Sequence, residues 1–151
     1  MAEYVSNPIQ VVLPNQAVLL DDSIPCNRGY VYHRNQSGNL ILRGIVNNSC
    51  GCFARYQVTF NGNIAVPTDG TVGAIAIALA LDGEPIQTSK AIVTPGAVDE
   101  YFNVTSTAII TVPRGCCFSI SVENVSEGAT PADTPTAINV QNANLVVSRI
   151  A

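Results

Sequence analysis

From Thr71 to Ile86 the chain reads TVGAIAIALALDGEPI, with Ala74, Ala76, Ala78 and Ala80 on one side of a two-residue period and Ile75, Ile77, Leu79 and Leu81 on the other. The run stops at Asp82-Gly83, and strict alternation closed by an Asp-Gly pair predicts a strand entering a β-hairpin. Both faces are apolar, so each needs something packed on it, and the small alanine face lets another backbone or another subunit come close. The same short-period patterning predicts strands at 17–20, 29–33, 40–46, 53–60, 72–81, 86–93, 101–112, 117–123 and 137–150. Between them lie SGN, NNSCG, NGN, PTDG, DGEP, TPG and PRG, turn formers that supply a positive or a fixed φ. No segment carries a helical period. Short strands at this spacing predict an all-β antiparallel sandwich, one domain over residues 15–151, with an extended N-terminal arm at 1–14 ahead of it. The segment SEGATPADTPT at 126–136 is too polar for a core and reads as a loop.

Composition narrows the function classes. At 151 residues the chain is one domain, long enough to bury about 68% of its unfolded surface. Only 12% of residues are charged against 47% hydrophobic, so Asn, Ser, Thr and Gly must cover the outside, which suits an extracellular or particle-bound protein. A net charge of −4 with no basic patch argues against nucleic-acid binding. No run approaches the roughly 18 apolar residues that span a bilayer, and MAEYVSNPIQ has neither the basic nor the apolar region of a signal peptide. No G-x-S-x-G, H-E-x-x-H or Gly-rich phosphate loop is present, so no catalytic residue, cofactor or metal ligand is assigned and the chain is expected not to be an enzyme.

The segments FARYQVTFNGNIA, GAIAIALALDGEPI, EYFNVTSTAIITVPRGCCFSISVEN and NVQNANLVVSRIA, in this order, resemble the jelly roll of the tumour necrosis factor and complement globular-head proteins. Among bacterial proteins they are most similar to the C-terminal heads of collagen-like exosporium glycoproteins and to phage-encoded trimeric heads. The match covers residues 16–151, and no Gly-X-Y stalk precedes it. The resemblance implies a homotrimer, and with the apolar strands it places the subunit interface at Tyr56, Val58, Phe60, Tyr101, Phe102, Ile109, Leu145 and Val147. It also implies that loops 61–71, 94–100 and 124–136 gather at one end. Turns 48–52, 82–85 and 113–116 would then gather at the other, with the C-terminus.

Five cysteines, Cys26, Cys50, Cys52, Cys116 and Cys117, do not have zinc-ribbon spacing, and the single His33 completes no Cys₂His₂ set. They read either as small buried hydrophobes or as thiols available for bonding. The jelly-roll order adds that Cys50 or Cys52 can bond Cys116 or Cys117 if the two turns meet, and bonds between subunits are a further option. Metal binding ranks below these. His33, in YVYHR, reads as a surface or interface side chain. The pairs Asp21-Asp22, Asp82/Glu84 and Asp99-Glu100 read as turn chemistry, with calcium as the sharper option. Without Trp, any sugar-stacking platform must come from Tyr4, Tyr30, Tyr32, Tyr56 or Tyr101. In the arm, Pro8 and Pro14 bracket Ile9, Val11, Val12 and Leu13, an attachment element expected to add a strand to a neighbour and to be dispensable for folding. These readings converge on a trimeric structural head at the surface of a virion, attached to a capsid or surface-layer protein. The alternative is a glycan-binding or adhesive head on a bacterial or spore surface.

Overall fold

The computed structural model describes residues 1–24, 29–45, 50–128 and 135–151. Cys26, part of the 48–52 turn and the middle of the 126–136 loop lie outside the described residues. In chain order the strands are β1 (Ala2–Ser6), β2 (Gln10–Val12), β3 (Asp22–Ile24), β4 (Val31–His33), β5 (Leu40–Arg43), β6 (Phe53–Ala65), β7 (Ile75–Leu81), β8 (Glu84–Pro85), β9 (Ala91–Val93), β10 (Phe102–Pro113), β11 (Cys117–Asn124) and β12 (Ile138–Arg149). One sheet runs β10-β6-β12-β1-β3, with β2 also on β12. The other runs β4-β5-β11-β7-β8, with β9 also on β7. All pairings are antiparallel, and the two sheets face each other across a single core.

The core follows the two-residue period. On β6, Ala54, Tyr56, Val58, Phe60 and Ile64 point inward, and on β7 Ile75, Ile77 and Leu79 meet them from the opposite sheet. Asp82 and Gly83 form the expected two-residue turn, pairing Leu81 with Glu84, and both have positive φ, 50° and 84°, as a type I′ turn requires. The predicted strand 86–93 is interrupted by one 3-10 turn at Gln87–Ser89, and 17–20 contributes two isolated bridges, Ala17 to Glu123 and Leu20 to Ser37. Where the 3-10 turn breaks the ladder, the Ser89 hydroxyl takes its place. It accepts the Leu79 N–H at 3.0 Å and donates to the Ile86 carbonyl at 2.7 Å.

The N-terminal segment corrects the expectation of a separate arm. β1 lies inside the first sheet, paired with β12 from Ala2–Val147 to Ser6–Ala143 on one side and with β3 on the other. β2 continues along β12, Val12 opposite Ile138. Pro8 falls between the two pieces, where no ladder N–H is needed, and facing it β12 bulges at Asn142, whose φ is 54°. Ala2, Tyr4 and Val12 are core residues. Of the segment's partner strands, β12 is about 140 residues away in sequence, beyond the reach of any local pattern.

The described turns sort by end as the jelly-roll order implies, except that 61–65, expected in a loop, continue β6. At one pole the Arg114 N–H bonds the Cys52 carbonyl at 2.9 Å, the Gly44 N–H bonds the Cys116 carbonyl at 2.9 Å, and the Arg55 N–H reaches the Ala151 carbonyl at 3.0 Å. At the opposite pole the Asp99 N–H bonds the Val66 carbonyl at 2.8 Å and the Asn15 N–H bonds the Asn124 carbonyl at 2.9 Å. Asn124, fully buried, closes that end. Its Nδ2 donates to the carbonyls of Val12 at 3.0 Å and Thr136 at 2.9 Å, and its Oδ1 accepts the Ser126 N–H at 3.0 Å.

Candidate functional site

Three surfaces carry the residues singled out from the sequence. The first is the outer face of β10 and β6. Of the eight residues expected at a subunit interface, Tyr56, Val58, Phe60, Leu145 and Val147 are at most 1% exposed and belong to the core of one chain, so they are unavailable to a partner. The parity of the pattern explains the correction: in a two-layer sandwich the apolar face of each strand turns inward and the polar face turns out. Ile109 is 64% exposed and Phe102 38%, while Tyr101 is half-buried. Around Ile109 the outward side chains pair rung by rung. Asn103 Nδ2 donates to Asn63 Oδ1 at 3.2 Å, Thr105 Oγ1 donates to Asn61 Oδ1 at 3.2 Å, and the hydroxyls of Thr107 and Thr59 share a bond of 3.0 Å. β10 contains no charged residue over its 12 positions and, among the described residues, forms one edge of its sheet with β6 as its neighbour there.

The second surface is the cysteine pole. Cys50, Cys52, Cys116 and Cys117 are all exposed and unbonded, which overturns the reading of buried small hydrophobes. The register that ends with Phe53 opposite Pro113, extended by the Arg114–Cys52 backbone bond, brings the two cysteine-bearing turns together. Among the described residues no three His, Cys, Asp or Glu side chains cluster as metal ligands would. Phe53, 41% exposed, lies under the Arg55 guanidinium at 4.6 Å on the same pole.

The third surface is a groove at the loop pole, on the outer side of β7. Ala74, Ala76 and Ala78 contribute to its floor, and Lys90 and Glu127 meet across it at 2.9 Å. That ion pair divides two lobes of about 260 and 190 Å³. The larger lobe is bordered by Asn15, Gln87 and Val125, the smaller by Ile92 and Gly128.

The remaining residues are placed as follows. His33 is half-buried rather than on the surface: its ring packs on Tyr4 at 4.8 Å and its Nε2 bonds the Ser37 carbonyl at 2.9 Å. Tyr4 and Tyr56 are interior, Tyr30 lies under the Arg149 guanidinium at 4.3 Å, and Tyr32 is 63% exposed on β4. The carboxylates serve turns. Asp21 accepts from Ser6, Asp82 from the Ser119 N–H at 2.8 Å, Asp99 from Thr68 at 2.7 Å, and Glu100 from the N–H groups of Gly96 and Ala97. In the attachment element Val12 is buried, whereas Ile9, Val11 and Leu13 are each more than half exposed beside the exposed Pro8 and half-buried Pro14. The groove residues Asn15, Gln87, Lys90 and Glu127 went unremarked in the sequence. Each lies on a turn or loop with no motif, and only folding gathers them.

No protein-family model matches the chain, and no curated protein does. Among solved structures, the globular domain of zebrafish complement 1qA protein superposes with a TM-score of 0.59, at 14% identity over 99% of this chain and 97% of that one. The fold is the complement-type jelly roll. The C-terminal domain of EclA, a sugar-binding protein, matches over 95% of this chain and 79% of its own at 14% identity and a TM-score of 0.43. The CBM22-1 xylan-binding domain of Paenibacillus barcinonensis Xyn10C matches over 99% and 87% at 9% identity and a TM-score of 0.35. At 14% identity to the complement domain the jelly roll is what is shared, and function has to be argued from the surfaces.

Proposed function

We propose that this chain is a non-enzymatic jelly-roll head that self-associates as a homotrimer through the β10 side of its first sheet and presents the loop pole outward. The observation that supports it best is the uncharged face around Ile109. Three rungs of uncharged Thr and Asn side chains bond one another across β10 and β6, and a large exposed aliphatic side chain sits beside them on an open edge strand. Edge strands that must stay alone usually carry Lys, Pro or a bulge near their middle, and β10 carries none of these before Pro113. The setting we infer is a virion surface, as a bacteriophage capsid decoration or head spike, with the exposed stripe Ile9, Val11 and Leu13 as the contact to a capsid protein. Light scattering at micromolar concentration is expected to give a trimer, and Ile109→Arg a monomer with an unchanged circular dichroism spectrum. A wild-type monomer overturns the assembly. Co-sedimentation with purified particles, lost on Val11→Asp, is the outcome expected for a virion protein.

The groove at the loop pole favours a second reading, a glycan-binding or adhesive head on a bacterial or spore surface. Retention on immobilised glycans without any retention on particles would select it over the first.

A further inference from the structure

We propose that the groove over the alanine face of β7 binds a neutral saccharide, with the Lys90–Glu127 pair as its recognition element. The inference rests on the second reading, in which the loop pole is a binding surface, and it names the site and the ligand class. Lys90 and Glu127 each follow a buried serine that is fastened to β7. Ser89 accepts the Leu79 N–H at 3.0 Å, and Ser126 accepts the Ala76 N–H at 2.9 Å. Ser126 is held again through its own N–H on Asn124 Oδ1, and Val125 through its N–H on the Ala76 carbonyl at 3.0 Å. The backbone under each charged side chain is thus fixed by the same strand, with Lys90 largely covered and Glu127 reaching it from the exposed side.

The chemistry selects the ligand. Lys90 offers only donors and Glu127 only acceptors, with no net charge between them. An anion meets Glu127 and a cation meets Lys90, so either is opposed at close range. A vicinal diol suits both: one hydroxyl accepts from the ammonium while the next donates to the carboxylate. The amides of Asn15 and Gln87 at the larger lobe extend the same mixed pattern, since each is both donor and acceptor. Pro85, Val125 and Pro135 give the larger lobe apolar surface for the C–H side of a sugar ring, and the exposed Ile92 supplies the same for the smaller lobe. Both lobes are below the roughly 300–1,000 Å³ of pockets that enclose drug-sized molecules, so each admits a group of about one ring and the pair a disaccharide.

The test titrates the full chain with methyl glycosides of neutral hexoses and N-acetylhexosamines, and with their disaccharides, following amide shifts by NMR. Shifts are expected at Ala76, Ala78, Gln87, Lys90 and Glu127. Lys90→Ala and Glu127→Ala are each expected to weaken binding roughly tenfold or more, the loss of one charged hydrogen bond. The melting temperature of Glu127→Ala is expected to stay with the wild type, because Glu127 is largely exposed. Ala74→Phe, at an exposed position, is expected to block the smaller lobe alone. Saccharide binding that survives both Lys90→Ala and Glu127→Ala overturns the site and leaves the glycan-binding reading intact. Binding of no saccharide by the wild type overturns both. Preference for a uronic acid or sulfated sugar over its neutral counterpart overturns the ligand class.

Discussion

Removing residues 1–12 tests the placement of the N-terminal segment within the sandwich. The deletion takes away β1, which separates β12 from β3, together with the buried side chains of Ala2, Tyr4 and Val12. Truncating a buried aromatic costs about 3–5 kcal/mol, and losing the burial of a valine costs about another 1.5 kcal/mol or more. Asn124 Nδ2 also loses the Val12 carbonyl, and a buried donor deprived of an acceptor costs about 1–3 kcal/mol. Together these reach on the order of 6–10 kcal/mol, comparable with the whole stability of about 5–15 kcal/mol that a domain possesses. The truncated protein is therefore expected to be largely unfolded at 25 °C by circular dichroism. Tyr4→Ala separates packing from strand loss: its 3–5 kcal/mol, at about 2–4 °C per kcal/mol for a chain of this size, lowers the melting temperature by about 6–20 °C. Calorimetry at a single protein concentration reads both variants. A truncated protein that melts within about 2 °C of the full chain would show that the segment is a free arm and that β12 finds another neighbour.

Asn124→Ala removes a side chain that makes three bonds at the loop pole, and is expected to cost about 1–3 kcal/mol, read by urea denaturation. Gly44→Ala puts a Cβ 2.2 Å from the Pro113 carbonyl oxygen and is expected to loosen the cysteine pole. The reading is faster amide exchange at Gly115 and Cys116, whose partners lie on that contact. In the native protein, iodoacetamide is expected to alkylate Cys50, Cys52, Cys116 and Cys117 without denaturant, as their exposure requires. Oxidised glutathione is expected to yield a peptide linking 50/52 to 116/117, two thiols reducing one glutathione disulfide as the protein bond forms. Mass spectrometry of a non-reduced digest checks it, and a link found only between chains would move the bond to a subunit contact.

The strands that local patterning predicts are those whose partners share its period. The run from Ile75 to Leu81, its Asp82-Gly83 turn and the long strands β10 and β12 were legible, because alternation and turn chemistry act within a dozen residues. β6 was legible only to Phe60, since Asn61-Gly62-Asn63 reads as a turn and instead stays in the ladder with β10. The sorting of loops into two poles followed from the resemblance and is met by the backbone bonds at each end. β1 was not legible. Its five residues AEYVS alternate too briefly to stand out, and the strand they join lies at the other terminus. The 3-10 turn in 86–93 was hidden for a different reason: a serine hydroxyl replaces a ladder bond there, and nothing in QTSK distinguishes that from a continuing strand.

The misassigned interface residues show where pattern reading stops. Tyr56, Val58 and Phe60 were correctly seen as one apolar face of one strand, but a face says nothing of whether its partner is the opposite sheet or another subunit. Closure of the core decides. The facing strands β7 and β11 supply Ile75, Ile77, Leu79, Ile120 and Val122, enough to cover that face completely. Between Gln57 and Asn63 on β6 and between Asn103 and Thr111 on β10, what remains outward is Thr, Asn, Gln and one isoleucine, a composition that reads as ordinary solvated surface until the register is known. With the register, Thr59 meets Thr107, Asn61 meets Thr105 and Asn63 meets Asn103, so each rung carries a side-chain bond across the two strands. Ile109, opposite Gln57 on the next rung, then stands out as the residue for which this chain alone offers no cover. The alanine face of β7 inverts the case. Ala76, Ala78 and Ala80 looked like a seat for another subunit, yet each is at most 3% exposed. Two serine anchors along that strand hold Lys90 and Glu127 over the groove, so the small side chains serve this chain's own surface loops.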